Sequence, residues 1–217
     1  MKKTFKFFTG SRLIQMAIVT AMFITGFIVY PYLPETIPVH WNFEGQPDNF
    51  GPKTIGTFIF PLVSLAVVIL FPIFQSIDPK KENYEKFKNA WSAIQLTLIT
   101  LFAYFYGAQL YFTLNPEQSY LMGTYMTAGI GATFVILGNY ISKIRHNYFV
   151  GLRTPWTLND PEVWNKSQRL TGWTFVIGGL ALIFSGIGNI FHPYIFFGII
   201  IVMVLLPTVY SYIISKK

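Results

Sequence analysis

The sequence predicts an all-α, polytopic membrane protein: a bundle of six transmembrane helices with both termini in the cytoplasm. Its composition is the first reason, because 53% of the 217 residues are hydrophobic and only 12% are charged, whereas soluble domains average about 25% charged residues. So few charges cannot cover a water-facing surface, but they suit a lipid-facing one. The second reason is the distribution of the basic residues, which are concentrated in alternate connecting segments.

Six apolar stretches are each long enough to cross the hydrocarbon core, which takes about 20 helical residues. None of them contains Asp, Glu, Lys or Arg. The first resembles a signal peptide because basic residues precede it, but it is longer than the usual apolar run of about 7–15 residues and no small-residue cleavage site follows. We therefore expect it to remain as a helix. The predicted spans are 13–32, 54–76, 90–113, 119–141, 171–190 and 194–214.

The Lys and Arg counts of the short loops predict the orientation, because cytoplasmic loops carry the excess of these residues. The N-terminal tail carries four, segment 77–89 four, segment 142–170 five and the C-terminal tail two, which accounts for 15 of the 16 basic residues. Only Lys53 falls on the other side, which predicts an N-in, C-in topology. We therefore assign the net charge of +7 to orientation and to contact with anionic membrane lipid, and we expect no direct contact with nucleic acid.

Small residues in the fourth span predict that another helix approaches it closely. They form two neighbouring rows at helical spacing, Gly123, Thr127 and Gly131 in one and Thr124, Ala128 and Ala132 in the other.

The predicted external segment, residues 33–53, has a composition that disfavours helix. Four prolines limit helix and two glycines supply turns, and apolar residues recur in an extended, partly alternating pattern. We expect a compact, ordered loop on the outer membrane face. His40, Glu44 and Asp48 could ligate a metal, but three scattered donors are a weak signal, and anchoring at the interface or contact with an external ligand is preferred. The candidate binding residues are Pro38, His40, Trp41, Asn42 and Gly45.

The predicted cytoplasmic segment, residues 143–171, contains a helix start. Asp160 followed by Pro161 is typical of an N-cap and the first helical position. Glu162 suits the positive end of the helix dipole and can pair with Lys166 at i, i+4. We therefore expect a helix that begins at Pro161 and continues into the fifth span.

Just before this start lies a run of residues with special geometry. Gly151 permits a positive φ, Pro155 fixes a bend, and Arg153 offers five donors to a phosphate, a carboxylate or the carbonyls at a helix C-terminus. Two interpretations stay open: an interfacial loop that binds lipid phosphate or caps helices, with Trp156 and Trp164 in the headgroup layer, or a docking surface for a protein or peptide. The candidate binding residues are Asn147, Gly151, Arg153, Thr154, Pro155, Trp156 and Trp164.

Both segments resemble those of a known family, the SdpI family of bacterial membrane proteins. Residues 33–53 resemble its N-terminal DUF1648-type domain at Leu33, Pro34, Ile37, Pro38, His40, Gly45, Pro47 and Lys53. Residues 147–173 resemble its C-terminal region at Asn147, Gly151, Arg153, Thr154, Pro155, Trp156, Thr157, Leu158 and Trp164. The resemblance implies two regions: 1–80, with two transmembrane helices and the external loop, and 81–217, with four helices and the cytoplasmic loop.

The resemblance also implies a function in the bacterial cell membrane. The family's namesake protects its producer cell against a secreted antimicrobial peptide toxin, and it signals by holding a transcriptional repressor at the membrane. It thus implies a toxic peptide on the outer face and a cytoplasmic repressor as partners. The family has no catalytic residues to carry over, and we expect no cofactor.

Two other classes of function fit the residues less well. A small transporter or export component, which we keep as the alternative, usually places ionisable groups inside the membrane, and the predicted spans contain no Asp, Glu, Lys or Arg. A membrane enzyme needs clustered acid–base or metal-binding groups, whereas the three histidines lie in three separate connections and the chain has no cysteine. We therefore predict a protein that is not an enzyme.

Overall fold

The computed structural model describes residues 10–42, 45–188 and 192–216, and six of its helices are long and apolar enough to cross a membrane. This confirms the predicted all-α bundle. Short 3₁₀ turns at Tyr30–Tyr32, Lys81–Phe87 and Pro116–Leu121 lead out of or into these helices. The long helices are α1 (Gly10–Val29), α2 (Lys53–Ile77), α3 (Lys88–Leu114), α4 (Met122–Ile141), α6 (Pro161–Ile187) and α7 (Pro193–Ser215), and a short helix, α5 (Pro155–Asn159), lies between α4 and α6.

Helix α6 begins ten residues before the predicted fifth span, at the start that the Asp-Pro pair indicates. The Asp160 carboxylate accepts hydrogen bonds from the main-chain N–H of Glu162 at 2.6 Å and of Val163 at 3.3 Å. Lys166 pairs with Glu162 at 2.6 Å. Both features were predicted and are confirmed, and the extra turns extend α6 beyond the end of α4.

The extended pattern of residues 33–53 forms a β-hairpin. Strand β1 (Thr36–Trp41) pairs antiparallel with β2 (Pro47–Pro52), and the register is irregular around His40. Ile37 on β1 is fully buried and packs in one cluster with Met22 of α1 and Tyr106 of α3. The hairpin is therefore seated on the first three helices.

The connections alternate between two faces of the bundle. The "hairpin face" comprises the β-hairpin and the turn Pro116–Leu121; the two are close, since a Cβ on Gly45 would lie 3.0 Å from the Tyr120 carbonyl oxygen. The "basic face" comprises segments 78–88 and 142–160 and the end of α7, joined by bonds such as Asn83 Nδ2 to the His146 carbonyl at 2.8 Å.

The helices pack in sequence order, with one contact much more extensive than the rest. Helices α1, α2 and α3 pack mutually, α3 also contacts α4, and α6 packs against both α4 and α7. At the α4–α6 contact the backbones touch, because Gly131 meets Gly179 and Gly138 meets Gly172. Where lipid is as apolar as the helix surfaces, such close packing is a main source of helix association.

The two small-residue rows of α4 have different neighbours. Thr127 and Gly131 of the first row contact α6. Ala128 and Ala132 of the second row line a groove of about 520 Å³ between α4 and α3. The backbone of the second row also lies close to α6, because a Cβ on Gly186 would lie 3.3 Å from the Thr124 carbonyl oxygen. Both rows therefore allow the close approach that the spacing predicts.

A proline inside α7 shows how a side chain of the bundle supplies a hydrogen bond that the backbone cannot make. Pro207 has no N–H to donate to the carbonyl of Met203, four residues earlier. The Thr174 hydroxyl of α6 lies 3.2 Å from that oxygen and 3.1 Å from the Thr171 carbonyl oxygen, so its single proton partly replaces the missing donor. Such replacement is needed in a membrane, where no water is available for a freed carbonyl.

We predict that Gly179→Ala destabilises the protein, whereas Gly198→Ala does not. A Cβ at Gly179 would lie 2.6 Å from the Gly131 carbonyl oxygen, while one at Gly198 would meet nothing within 4 Å. Overpacking of this kind costs about 1–3 kcal/mol, and alanine is otherwise the better helix former. Thermal unfolding in detergent measures the difference, and equal melting temperatures for the two variants would contradict the proposed contact.

Candidate functional site

The seven residues predicted in the cytoplasmic segment come together at the basic face, around a buried hydrogen-bond network. We call this network the polar junction. Its members join segments 78–87 and 145–157 to helices α6 and α7, and they are Asp78, Tyr84, Asn147, Thr154, Thr157, Gln168 and Ser211.

Asn147 sets the conformation of residues 145–150. Its side chain is fully buried, and its Oδ1 accepts from the N–H groups of Phe149 and Val150 at 2.9 and 2.7 Å. Its Nδ2 donates to the carbonyls of Arg145 and Val150 at 2.9 and 3.0 Å. A side-chain amide has two donors and two acceptor positions, and here all four are used by the main chain.

Asp78 connects this turn to the segment after α2. The residue is 1% exposed, and its Oδ2 accepts from the Tyr84 hydroxyl at 2.8 Å and from the Tyr148 N–H at 2.9 Å. Its Oδ1 accepts from the Lys80 N–H at 2.6 Å. A buried carboxylate is costly unless it is hydrogen-bonded, and three donors meet that requirement without an ion pair among the described residues.

Gly151 and Gln168 form the contact between the segment and α6. Gly151 has the predicted positive φ, +110°, and a Cβ there would lie 2.9 Å from Gln168 Oε1. The Gln168 amide accepts from the N–H of Leu152 and donates to its carbonyl, both at 3.0 Å. Both the conformation and the space therefore require glycine at this position.

Thr154, Pro155 and Trp156 attach α5 to α7. Thr154 is the N-cap: its Oγ1 accepts from the Thr157 N–H at 3.2 Å, and the Thr157 hydroxyl accepts in return from the Thr154 N–H at 2.8 Å. Pro155 occupies the first helical position, which suits a residue without N–H. Thr154 Oγ1 also lies 3.1 Å from Ser211 Oγ, and the Trp156 ring lies 5.0 Å from that of Tyr212.

One of the two interpretations of this segment placed Trp164 in the headgroup layer, and the burial of this residue contradicts that placement. Its side chain is fully buried, and its Nε1 donates to the Ile144 carbonyl at 3.0 Å. It packs in an aromatic cluster with Tyr84 and Trp91. The register of α6 against α4 explains the difference, because it places Trp164 at the Ile144 carbonyl, beneath the junction rather than beside lipid.

Arg153 and His146 border the junction. The exposed Arg153 side chain donates from Nη1 to the Tyr148 carbonyl at 2.6 Å, so it binds a loop carbonyl. The His146 ring packs 5.0 Å from the Trp164 ring. Burial, and then the nearby Lys80 ammonium, lower the pKa of His146, which favours the neutral ring near pH 7. Tyr148, Arg153 and Pro155 remain exposed above the network.

The five external candidates lie together in and beside the hairpin. The Pro38 carbonyl accepts from Gln109 Nε2 of α3 at 3.0 Å, and Trp41 packs against a cluster that contains Phe112. His40 Nδ1 and Asp48 Oδ1 are 2.5 Å apart across the strands. The turn is closed by Asn42, whose N–H and side-chain oxygen bond Gln46 at 2.8 and 2.9 Å, and by Gly45 at φ +77°.

The part of the chain that the structure describes contains no cluster of side chains that would support the metal hypothesis for this loop. No three His, Cys, Asp or Glu side chains come together there. Glu44, the third candidate ligand, lies outside the described residues.

Five members of the junction were not among the candidate residues: Asp78, Tyr84, Thr157, Gln168 and Ser211. A lone Asp directly after an apolar span was the available signal for Asp78, and the match of Thr157 to the family pattern was the signal for that residue. Tyr84, Gln168 and Ser211 are ordinary polar residues whose role depends on segments distant in the sequence.

The six apolar helices define a multi-pass membrane protein. A model of the SdpI/YfhL protein family matches residues 143–211, which contain the junction segment, and a model of the domain of unknown function DUF1648 matches residues 17–65, which contain the hairpin. The Immunity protein SdpI of Bacillus subtilis (strain 168) is 30% identical over 199 residues, which cover 92% of this chain and 91% of that protein. The chain therefore belongs to the SdpI/YfhL family of bacterial membrane proteins.

A second relative matches over a shorter region. The Uncharacterized membrane protein YbgB of the same organism is 32% identical over 56 residues, 26% of this chain and 60% of that protein. No solved structure matches the chain significantly.

We predict that Asp78→Asn loosens the polar junction, because an amide cannot accept all three hydrogen bonds. Hydrogen bonds to a charged group contribute about 1.5–3 kcal/mol, so opening should become roughly tenfold more frequent or more. The chain has no cysteine, so Ile144→Cys, a buried position, can report opening through its rate of maleimide labelling. Glu82→Gln removes an exposed charge from the same segment and serves as the control; equal labelling rates in both variants would contradict the role of Asp78.

Proposed function

We propose that this protein is a non-enzymatic immunity protein, which protects the bacterial membrane against a secreted peptide toxin. The observation that carries the proposal is the similarity to the Immunity protein SdpI, which runs through 92% of the chain rather than through one motif. The site supports it, because the polar side chains of the junction bind main-chain groups and so build a rigid surface. Catalysis would instead need reactive groups that converge on a substrate.

The orientation is part of the proposal. The structure places segments 78–88 and 142–160 and the end of α7 on one face. Since 15 of the 16 basic residues lie in the tails and the two segments 77–89 and 142–170, the positive-inside rule places the basic face in the cytoplasm. The hairpin face, with Lys53, is then external.

A hydrophobic peptide would meet the external hairpin first. Its outer surface exposes Val39 and Phe50, the latter 55% exposed. The hairpin is also well supported, because Gln109 bonds Pro38 and Ile37 is buried among the first three helices. An apolar surface on a supported hairpin suits binding, since little conformational freedom is lost there.

The second part of the proposal is that the protein signals through a cytoplasmic repressor. Helix α3 connects the two faces: Gln109 bonds the hairpin, and Trp91, near the other end, packs 4.9 Å from the Tyr84 ring of the junction. The exposed Tyr148, Arg153 and Pro155 would form the docking surface. A toxin could change that surface only by binding two arrangements of the bundle with different affinity.

The orientation predicts the location of reporter fusions. Fusions at Asp48, Asn115 and His192 should read external, and fusions at Lys81, Lys166 and the C-terminus should read cytoplasmic. Paired phosphatase and fluorescent-protein reporters measure both states. An external signal at Lys166 would contradict the six-span arrangement.

The protective function is tested by expressing the gene in a sensitive bacterium that lacks its own immunity protein. We expect survival against the toxic peptide associated with the family, with unrelated membrane-active peptides as the comparison. Phe50→Ser should lower the protective limit roughly tenfold if the hairpin contacts the peptide, because losing a buried aromatic anchor costs more than about 1 kcal/mol.

Tyr194→Ser is the matched control, since Tyr194 is also exposed but lies outside the hairpin, in the first turn of α7 and thus at the end opposite the basic face. Membrane abundance of each variant must be equal. Unchanged killing by every peptide despite normal abundance would disprove the immunity proposal, and substrate-dependent efflux in reconstituted vesicles would support a transporter instead.

A further inference from the structure

A pocket of about 360 Å³ lies between α4 and α6 at their basic-face end. It is separate from the polar junction and from the hairpin. Gly138 and Gly172 form its floor, and the surrounding side chains are Asn139, Ser142, Arg169, Trp173 and Val176.

The glycine contact determines the depth of each side chain in the pocket. Gly138 faces Gly172, and the two helices are antiparallel, because Gly131 faces Gly179. Arg169 therefore lies level with the C-terminal end of α4 at Ile141. Trp173 lies one turn further toward the membrane centre, about 6 Å away, and Val176 lies deeper again.

The side chains divide into a polar and an apolar half. Arg169, Asn139 and Ser142 line the half nearer the basic face, whereas Trp173, 66% exposed, and Val176 line the deeper half. Tryptophan at such a position is typical of the membrane–water interface. A polar, basic half beside an apolar half that contains a tryptophan is the combination suited to the boundary of the hydrocarbon core.

The polar half is positively charged. Among the residues that the structure describes, no carboxylate lies within 4.0 Å of Arg169. Glu162, two turns earlier on α6, is already paired with Lys166 at 2.6 Å. Asn139 uses one amide N–H on the Val135 carbonyl and retains a second.

We propose that this pocket binds an anionic phospholipid. The Arg169 guanidinium matches a phosphate with two parallel N–H donors, and the Ser142 hydroxyl and the Asn139 amide can donate to the remaining oxygens. The acyl chain lies along Trp173 and Val176. Inorganic phosphate would use only the polar half, so the apolar half selects for a lipid. This site does not depend on the proposed immunity function.

The test uses the full-length protein in detergent, titrated with phosphatidylglycerol and analysed by native mass spectrometry. We expect retained phosphatidylglycerol in preference to phosphatidylcholine, and a roughly tenfold loss of retention in Arg169→Gln. Arg169→Lys, which keeps the charge but not the planar fork, should fall between the two. Arg145→Gln removes an exposed arginine of the same face outside the pocket and should retain the lipid.

A second measurement locates the lipid within the pocket. Phosphatidylglycerol with brominated acyl chains should quench part of the tryptophan fluorescence, and Trp173→Phe should remove that part. Equal lipid loss in Arg169→Gln and Arg145→Gln, equal retention of phosphatidylcholine, or displacement by millimolar inorganic phosphate would each overturn the proposal. Circular dichroism shows whether Arg169→Gln is folded. If it is not, the lipid retention of Arg169→Lys and the quenching in Trp173→Phe test the proposal.

Discussion

The contact between the backbones of α4 and α6 is the constraint on which the rest of the structure depends. Gly131 and Gly138 meet Gly179 and Gly172 so closely that no Cβ fits. This register carries the first turns of α6 past the end of α4, where Trp164 reaches the Ile144 carbonyl and Gln168 reaches Leu152. The same register brings Arg169 level with the end of α4. A helix contact within the membrane thus determines the chemistry at its surface.

The two faces of the bundle are organised by different interactions. At the hairpin face, the burial of Ile37 and the hydrogen bond from Gln109 to the Pro38 carbonyl hold the strands on the bundle. At the basic face, buried polar side chains bond the main chain of distant segments, and Asp78 joins two of them. Helix α3 contributes Gln109 to one face and Trp91 to the other, so a movement of this helix would change contacts at both faces.

Much of this arrangement could be predicted from local patterns. Apolar length identified the six spans, the Asp160–Pro161 pair identified the start of α6, and Gly151 indicated a positive φ. Each of these signals lies in one continuous stretch of sequence. The junction could not be predicted, since Asp78 meets Tyr148, and Gln168 meets Leu152, only after the helices have packed. The headgroup placement of Trp164 failed for the same reason. A tryptophan side chain suits the membrane interface, but the register of α6 buries this one.

The seven-residue spacing of the glycines has a consequence for assembly. Gly172, Gly179 and Gly186 are so regular that α6 could slide along α4 by one heptad, about 10 Å, and still bring two glycine pairs together, Gly131 with Gly186 and Gly138 with Gly179. Two glycine pairs therefore form in either alignment, and the observed one adds a close approach of Gly186 to the Thr124 carbonyl oxygen. The slip would break the Trp164 and Gln168 bonds at the basic face. Those bonds form only in the observed alignment of α6 on α4, and they favour it over the shifted one.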